Sequence, residues 1–294
     1  MDILLYRLKG EYNLKKIIIA GGSGYIGQAF YLKYKEEYNI KILSRATSNK
    51  PHFITSLESC DVLINLAGES IFPQRWTAAR KHKILDSRVQ FSSRLLDEAK
   101  SFHIRHYIQA SAVTFYPFSE SNIFTEHSHA SIGDNFSSQL VQQWESEIQK
   151  SNIKINTALR IGVVLGPNSK FLEPLKYLFS FYLGGRVGDG RQWVSWIHIE
   201  DLISAINFII KDKIYGPINL AAPNPLTNKE MSSVLAKYLN RPNYFHLPKI
   251  FYKILFGEAS ELLTEGHQVH PKILLDKSFK FKYENFRDAL SDSI

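Results

Sequence analysis

Two spacings of apolar residues alternate along this chain. Short, nearly continuous apolar runs recur, each followed by a longer segment whose apolar residues fall three or four positions apart. Ile17-Ile18-Ile19-Ala20, Ile40–Leu43, Asp61–Leu66, His106–Ala112 and Lys154–Leu165 read as buried strands, with His52-Phe53-Ile54 and a run ending at Asn219-Leu220 as shorter ones. Helices are predicted from Ile26 to about Tyr38, over Gln74–Arg94 (apolar at Ile84, Val89, Leu95 and Leu96) and over Asn135–Gln149 (apolar at Leu140, Val141, Trp144 and Ile148). Two more follow, over Phe171–Leu183 and over Lys229–Leu239, the latter capped by Thr227. Continuous apolar strands alternating with amphipathic helices imply a sheet buried on both faces: an α/β fold with a doubly wound, mostly parallel sheet.

The first strand runs straight into Gly21-Gly22-Ser23-Gly24-Tyr25-Ile26-Gly27, a G-x-x-G-x-x-G turn that opens the first helix. Such a turn leaves the strand sharply, lets a pyrophosphate approach the backbone, and packs the helix close to the strand. The N–H groups and positive dipole end of the helix then face the phosphates. This is a dinucleotide-binding arrangement on a Rossmann-type sheet. At the end of the second strand, where an acidic residue would hold the ribose of NAD, stand Ser44 and Arg45, and no Asp or Glu occurs from Asn39 to Pro51. A hydroxyl and a planar cation suit a 2′-phosphate, so the expected cofactor is NADP(H). Strand ends face the ligand in this topology, which adds Leu66, Ala67, Gly68 and Glu69 to Gly21, Ser23, Gly24, Tyr25, Ile26, Gly27, Ser44 and Arg45 as cofactor-binding candidates.

Composition narrows the picture further. The 294 residues, 44% hydrophobic and 13% aromatic, suffice for one large domain and a smaller appended one. The single cysteine, Cys60, excludes an internal disulfide and reads as a small core residue in a cytoplasmic protein. The longest apolar run, Tyr177–Leu183, is too short to span a bilayer. Net charge is +8, but the basic residues are scattered, so nucleic acid is not the expected partner. His127 with His129, His103 with His106, and His267 with His270 lack the Cys or carboxylate companions of a zinc site, and no metal is expected. No G-x-x-x-x-G-K-[ST] occurs, which removes the nucleoside-triphosphate loop.

Taken together, GGSGYIG, NLAGESI, the RW…K…I-x-D-S-R stretch, RIGVVLG (160–166), LGGRVGDGRQWVSWIHIEDL (183–202), NLAAPNPLTNKE (219–230) and the tail from Leu247 resemble the atypical short-chain dehydrogenase/reductases known as epimerase family proteins, and a bacterial source is expected for this chain. The resemblance covers Lys15 to Leu290. It implies an NADP-binding domain over residues 15–240 with substrate-side insertions at about 167–200, and a small, mainly helical C-terminal domain over residues 241–294, behind an extension at residues 1–14. In the parent short-chain dehydrogenase/reductase superfamily a proton-handling Tyr and a Lys four residues later stand on the helix that corresponds to Asn135–Gln149, a pair that the resembled family itself tends to lack. That helix offers Phe136 with Leu140, or Ser137 with Val141, so the usual pair is missing.

The resemblance places Ser111 where related enzymes carry an active-site hydroxyl, with Thr114 and Tyr116 close behind; Ser111 and Tyr116 are the catalytic candidates. Glu69, Asp189 and His198 complete the proton-handling groups. Arg160 lies among apolar neighbours and requires a partner. The glycine-rich stretch from Gly184 to Gly190 leads to Arg191, Trp193, Trp196 and His198, residues suited to an anionic or ring-bearing ligand. The expectation is an NADP(H)-binding oxidoreductase or nucleotide-sugar epimerase-like enzyme, a monomer or homodimer, acting on a small anionic or nucleotide-linked substrate. The alternative is a non-catalytic NADP(H) sensor or partner protein, which the missing pair favours and the polar substrate loop disfavours.

Overall fold

The structure, a computed structural model, describes residues 14–44, 52–71, 74–128 and 133–294. The first strand, β1 (Lys16–Ala20), is followed by α1 (Tyr25–Tyr34), β2 (Asn39–Leu43), β3 (Phe53–Ile54) and β4 (Cys60–Asn65). A long helical stretch comes next: α2 (Ala78–Leu85), a π-helical turn at Asp86–Gln90, and α3 (Phe91–Ala99). Then come β5 (Ile104–Ala112), β6 (Ile123–Phe124), α4 (Phe136–Gln149), β7 (Ile155–Ile161), β8 (Val163–Leu165) and α5 (Leu172–Ser180). The remainder holds β9 (Trp193–Val194), β10 (Trp196–His198), α6 (Ile199–Asp212), β11 (Gly216–Leu220), β12 (Leu226–Thr227) and α7 (Asn228–Leu239). The C-terminal region adds α8 (Lys249–Phe256), α9 (Glu261–Thr264), β13 (Gln268–Val269), α10 (Lys272–Asp276) and α11 (Phe286–Ser293).

Among the described residues, seven strands form one parallel sheet in the order β11-β7-β5-β4-β1-β2-β3. The apolar runs are continuous because successive side chains serve opposite faces. Ile17 and Ile19 join the cluster beneath α1 and α6, while Ile18 and Ala20 join the one beneath α3. The sheet is therefore covered on both sides, a Rossmann-like α/β fold. Thr227 caps α7 in a reciprocal capping box with Glu230, as its position before the helix predicts.

Two elements differ from the sequence reading. The helix expected over Gln74–Arg94 starts at Ala78, is interrupted by the π-turn, and runs on to Ala99. The strand expected over Lys154–Leu165 breaks at Gly162, where a Cβ would lie 2.6 Å from the Ser195 carbonyl oxygen. There β8 leaves the sheet and pairs with β10. Hydrophobic periodicity cannot register that break, because Val163 and Val164 continue the apolar run.

The C-terminal region is mainly helical and closely knit to the rest. Tyr283, Phe286, Ala289 and Leu290 share a cluster with Leu165, Leu172, Phe179 and Trp196. The Asp201 carboxylate, at the start of α6, accepts the backbone N–H groups of Lys282 (2.7 Å) and Tyr283 (2.9 Å).

Candidate functional site

Strands β2, β1 and β4 are neighbours, so their carboxyl ends bring Ser44, the Gly21–Gly27 turn and the Leu66–Glu69 loop side by side. Gly21 turns the chain at φ 77°, and a Cβ there would lie 2.6 Å from the Ala67 nitrogen. Only glycine satisfies both the dihedral and the contact. Gly24 N–H closes the turn on the Gly21 carbonyl at 3.0 Å, and Gly27 packs so tightly that a Cβ would lie 2.5 Å from Gly22 Cα. Helix α1 begins with Gly24 as N-cap, with no side-chain cap and no acidic residue in its first turn. Its initial N–H groups and its dipole are therefore not neutralised from within the helix. Ser23, Gly24 and Tyr25 are exposed beside this opening, and Ile26 is half-buried. The Tyr25 hydroxyl donates to the Pro167 carbonyl (2.9 Å), tying the turn to the loop after β8. Arg45 lies outside the described residues.

The Ala67–Glu69 loop is held from two sides. Ala67 N–H donates to Asn65 Oδ1 (3.1 Å), and Glu69 N–H donates to Ser87 Oγ (3.0 Å) in the π-turn. The Glu69 side chain is exposed and pairs with Arg80 at 2.9 Å, which holds its carboxyl below the usual range.

The expected catalytic candidates are drawn into the interior. Ser111 is buried and donates its hydroxyl to Glu145 on α4. The same carboxylate receives Arg160 twice, from Nε and Nη2, each at 2.9 Å. Burial opposes the Arg160 charge, but Glu145 and the Tyr116 hydroxyl more than offset it and hold the guanidinium pKa above its usual value. Tyr116 has no exposed surface. Its hydroxyl accepts from Arg160 Nη1 (2.9 Å) and lies at hydrogen-bond distance from the Thr125 carbonyl (3.0 Å) and Asn219 Oδ1 (2.8 Å). Burial raises the phenol pKa, against the pull of Arg160 and Asn219. Ser111 and Tyr116 are thus parts of one largely buried network with Glu145 and Arg160. Arg160 finds the partner its setting demanded. Glu145 was not foreseen, although it stands four residues after Val141 at the edge of the α4 stripe.

Of the two registers in which a Tyr–Lys pair could stand, one places Phe136 and Leu140 there and the other the buried Ser137 and Val141. Leu140 is 1% exposed in a cluster with Trp76, Ile84 and Ala259, and Phe136 packs against it. The Trp76 and Phe136 rings meet edge to face at 5.1 Å. Ala259 comes from the C-terminal region, which also places Glu261 against the start of α4, where it accepts Ser137 N–H at 3.3 Å. Burial raises the Glu261 carboxyl pKa, with Ser137 pulling the other way. The sequence held no local signal for this carboxylate, since it reaches α4 only through the tertiary fold.

The substrate candidates separate. Arg191 is exposed, with Asp189 at 3.5 Å. Trp193 is half-buried and donates its indole N–H to the Glu120 carbonyl (2.8 Å). Between them Gln192 reaches the Leu263 carbonyl at 2.9 Å, so this loop is anchored to the C-terminal region and not to the β1, β2 and β4 ends. Trp196 and His198, expected to face a ligand, have no exposed surface. Trp196 packs edge to face on Phe286, and His198 Nδ1 accepts Glu200 N–H to cap α6. Burial pushes the His198 pKa down, with Asp292 at 3.4 Å from Nε2 opposing it. A Trp and a His on the inner strand β10 serve packing and capping there.

The sequence profile of the NAD dependent epimerase/dehydratase family matches residues 17–221. The chain belongs to that family. A domain of unknown function, DUF1731, matches residues 247–293. The epimerase family protein YfhF of Bacillus subtilis is 36% identical over 301 residues, covering 95% of this chain and 97% of that one. The crystal structure of human epimerase family protein SDR39U1 (isoform 2) with NADPH superimposes with a TM-score of 0.87 at 26% identity, covering 95% of this chain and 98% of that one. A nucleoside-diphosphate sugar epimerase from Corynebacterium glutamicum gives a TM-score of 0.77 at 29% identity, covering 95% of this chain and 58% of that chain. An NAD(P)-binding Rossmann architecture is therefore common ground for this epimerase-family chain. Among the described residues, no helix is long and apolar enough to cross a membrane, and no cluster of His, Cys, Asp or Glu could hold a metal ion.

Proposed function

We propose that this epimerase-family protein binds NADP(H) and acts as an oxidoreductase or epimerase-like enzyme on a small anionic or nucleotide-linked molecule. The observation that carries the reading is the cradle at Gly21, where a Cβ would strike Ala67, set against a helix α1 whose N-terminus lacks any side-chain cap. The human relative's NADPH and the sugar-nucleotide name of the Corynebacterium relative support the choice of ligands. On this reading Gly21, Ser23, Gly24, Tyr25, Ile26 and Gly27 receive the diphosphate, and Ser44 with Arg45 takes the 2′-phosphate. Leu66, Ala67, Gly68 and Glu69 flank the adenosine and its ribose. The chemistry such a cofactor brings is hydride exchange at the nicotinamide. The chain contributes the orienting backbone N–H groups at the start of α1. Arg191 and Trp193 belong to the substrate side, and the division at about residue 240 separates the dinucleotide unit from the C-terminal one. A cytoplasmic monomer or homodimer completes the reading.

A second reading, a non-catalytic NADP(H) sensor, has a specific observation in its favour: neither register of α4 offers a Tyr–Lys pair, and the hydroxyls of Ser111 and Tyr116 are committed to Glu145 and Arg160. Calorimetric titration with NADPH, NADP⁺, NADH and NAD⁺, on the native protein and on Arg45→Ala, tests the shared core of both. NADPH affinity should fall by about 1–3 kcal/mol in the variant with NADH unchanged. Absence of binding to any dinucleotide would sink both readings. Turnover monitored at the nicotinamide across a panel of sugar nucleotides then separates enzyme from sensor.

A further inference from the structure

Between α2 and α3 the helix carries a π-turn, Asp86–Gln90, with one residue more per turn than its flanks. That turn directs two consecutive side chains at the Ala67–Glu69 loop. Ser87 accepts Glu69 N–H and passes its own proton to the Ile84 carbonyl (2.9 Å), so it only holds the loop in place. Arg88 lies flat against Gly68: a Cβ there would be 3.1 Å from both its Cζ and Nη2. Glycine at position 68 is what leaves room for the guanidinium.

The charge of Arg88 is answered only in part, by the nearby Glu69 carboxylate. Its hydrogen bond among the described residues is one long contact, Nη1 to Ser87 Oγ at 3.4 Å, although a guanidinium has five donors. The adjacent carboxylate, Glu69, is engaged by Arg80, which also reaches the Ser70 carbonyl. On the inner side lies the Trp144 ring, 5.3 Å from the guanidinium carbon and one helical turn after Leu140. Burial lowers the Arg88 pKa to about 10, which still leaves it charged at neutral pH. The side chain is half-buried, and its unused donors are free to engage an anionic ligand bound against Gly68. Its place is equally specific, since Gly21 and Gly68 lie on either side of Ala67 and Arg88 marks the far end of the same ledge.

We propose that Arg88 is an oxyanion receptor of the dinucleotide site, taking a phosphate or carboxylate group bound against Gly68. The proposal rests on the dinucleotide reading for its location, and its ligand is either the cofactor's own diphosphate or the anionic group of the second substrate. The Nε–H resonance of Arg88, assigned in ¹⁵N-labelled protein through Arg88→Lys, is followed while NADPH and, separately, inorganic phosphate are added to saturation or the solubility limit. Calorimetry runs in parallel on the native protein, Arg88→Lys and Arg88→Met, the last retaining the packing volume without the charge. If the anion is the cofactor's diphosphate, NADPH shifts the resonance and binds Arg88→Met at least tenfold more weakly. If it belongs to the second substrate, NADPH binds all three within twofold, and phosphate shifts the resonance of the NADPH-loaded native protein. Arg88→Lys, which keeps the charge but loses the planar fork, falls between native and Met in the sensitive measurement. Neither ligand shifting the resonance, together with equal NADPH affinity in Arg88→Met, overturns the proposal, whatever happens to the melting temperature. Failure of NADPH to bind the native protein while phosphate still moves the Arg88 signal would refute the dinucleotide reading and leave the receptor standing.

Discussion

Glu145→Gln provides a quantitative test of how Ser111 and Tyr116 are used. The Glu145 and Arg160 side chains are 12% and 6% exposed, and their contact is bidentate, with both nitrogen–oxygen distances at 2.9 Å. Glutamine keeps the shape but removes the charge and turns one acceptor into a donor facing Arg160. The guanidinium is then a buried cation without a counter-ion, a loss of about 3–5 kcal/mol. Ser111→Ala removes one hydrogen bond to a charged acceptor and should cost about 1.5–3 kcal/mol. Arg160→Met in the Glu145→Gln background removes the stranded charge, so the double variant should be more stable than the sum of its singles by about 0.5–3 kcal/mol. Urea unfolding followed by tryptophan fluorescence measures the native protein, Ser111→Ala, Glu145→Gln, Arg160→Met and the double variant, with m-values checked for constancy. A Glu145→Gln cost below about 1 kcal/mol, or strict additivity in the double variant, would refute the buried-pair account. Loss of turnover in Ser111→Ala with unchanged stability would restore the catalytic role the sequence suggested.

Three further outcomes are expected. Gly21→Ala, which must adopt a φ of 77° and approach Ala67 N to 2.6 Å, should weaken NADPH binding at least tenfold by calorimetry and destabilise the protein by about 1–3 kcal/mol. Installing the missing pair as Phe136→Tyr with Leu140→Lys should yield no new turnover and lower stability by about 3 kcal/mol or more, because Leu140 lies in the Trp76 cluster; a stable, newly active variant would contradict this. His106 and His267 are both buried, and burial lowers each pKa to about 4, with Lys15 adding to the effect at His106 and the Pro117 carbonyl opposing it at His267. Because the folded values are depressed, the stabilisation is full above the unfolded pKa of about 6.5 and is lost as pH falls towards 4, by up to about 3 kcal/mol for each. Urea midpoints at pH 7 and pH 4.5 should reveal the loss, and His106→Gln should reduce it.

What the sequence revealed was what short-range chemistry determines. The Gly21–Gly27 turn, the faces of β1 and the Thr227 cap depend on residues a few positions apart, and each stands where its pattern placed it. Arg160 announced the need for a partner, but its identity depended on α4 crossing β7, which no local spacing encodes. The same limit explains Trp196 and His198. Both follow a glycine-rich stretch that reads as a ligand loop, yet β10 pairs with β8 and turns them inward beneath Phe286 and Tyr283. The π-turn at Asp86–Gln90 escaped for a different reason: one extra residue in a helix leaves the apolar spacing almost intact while redirecting Ser87 and Arg88.

The pairing of β6 with β13 has a consequence for biosynthesis. Phe124 lies opposite Val269, and Tyr283 and Leu290 complete a cluster begun by Leu165. During synthesis the sheet strands emerge first, but the surfaces that β13, α10 and α11 cover stay bare until nearly the whole chain has left the ribosome. Long sequence separation of this kind slows folding and leaves an interval in which the exposed face is open to chaperones or to a neighbouring nascent chain. Protein released from stalled ribosomes short of residue 267 should therefore accumulate as an aggregation-prone intermediate, and the stretch from Gln268 to Ser293 acts as the closing clasp of the fold.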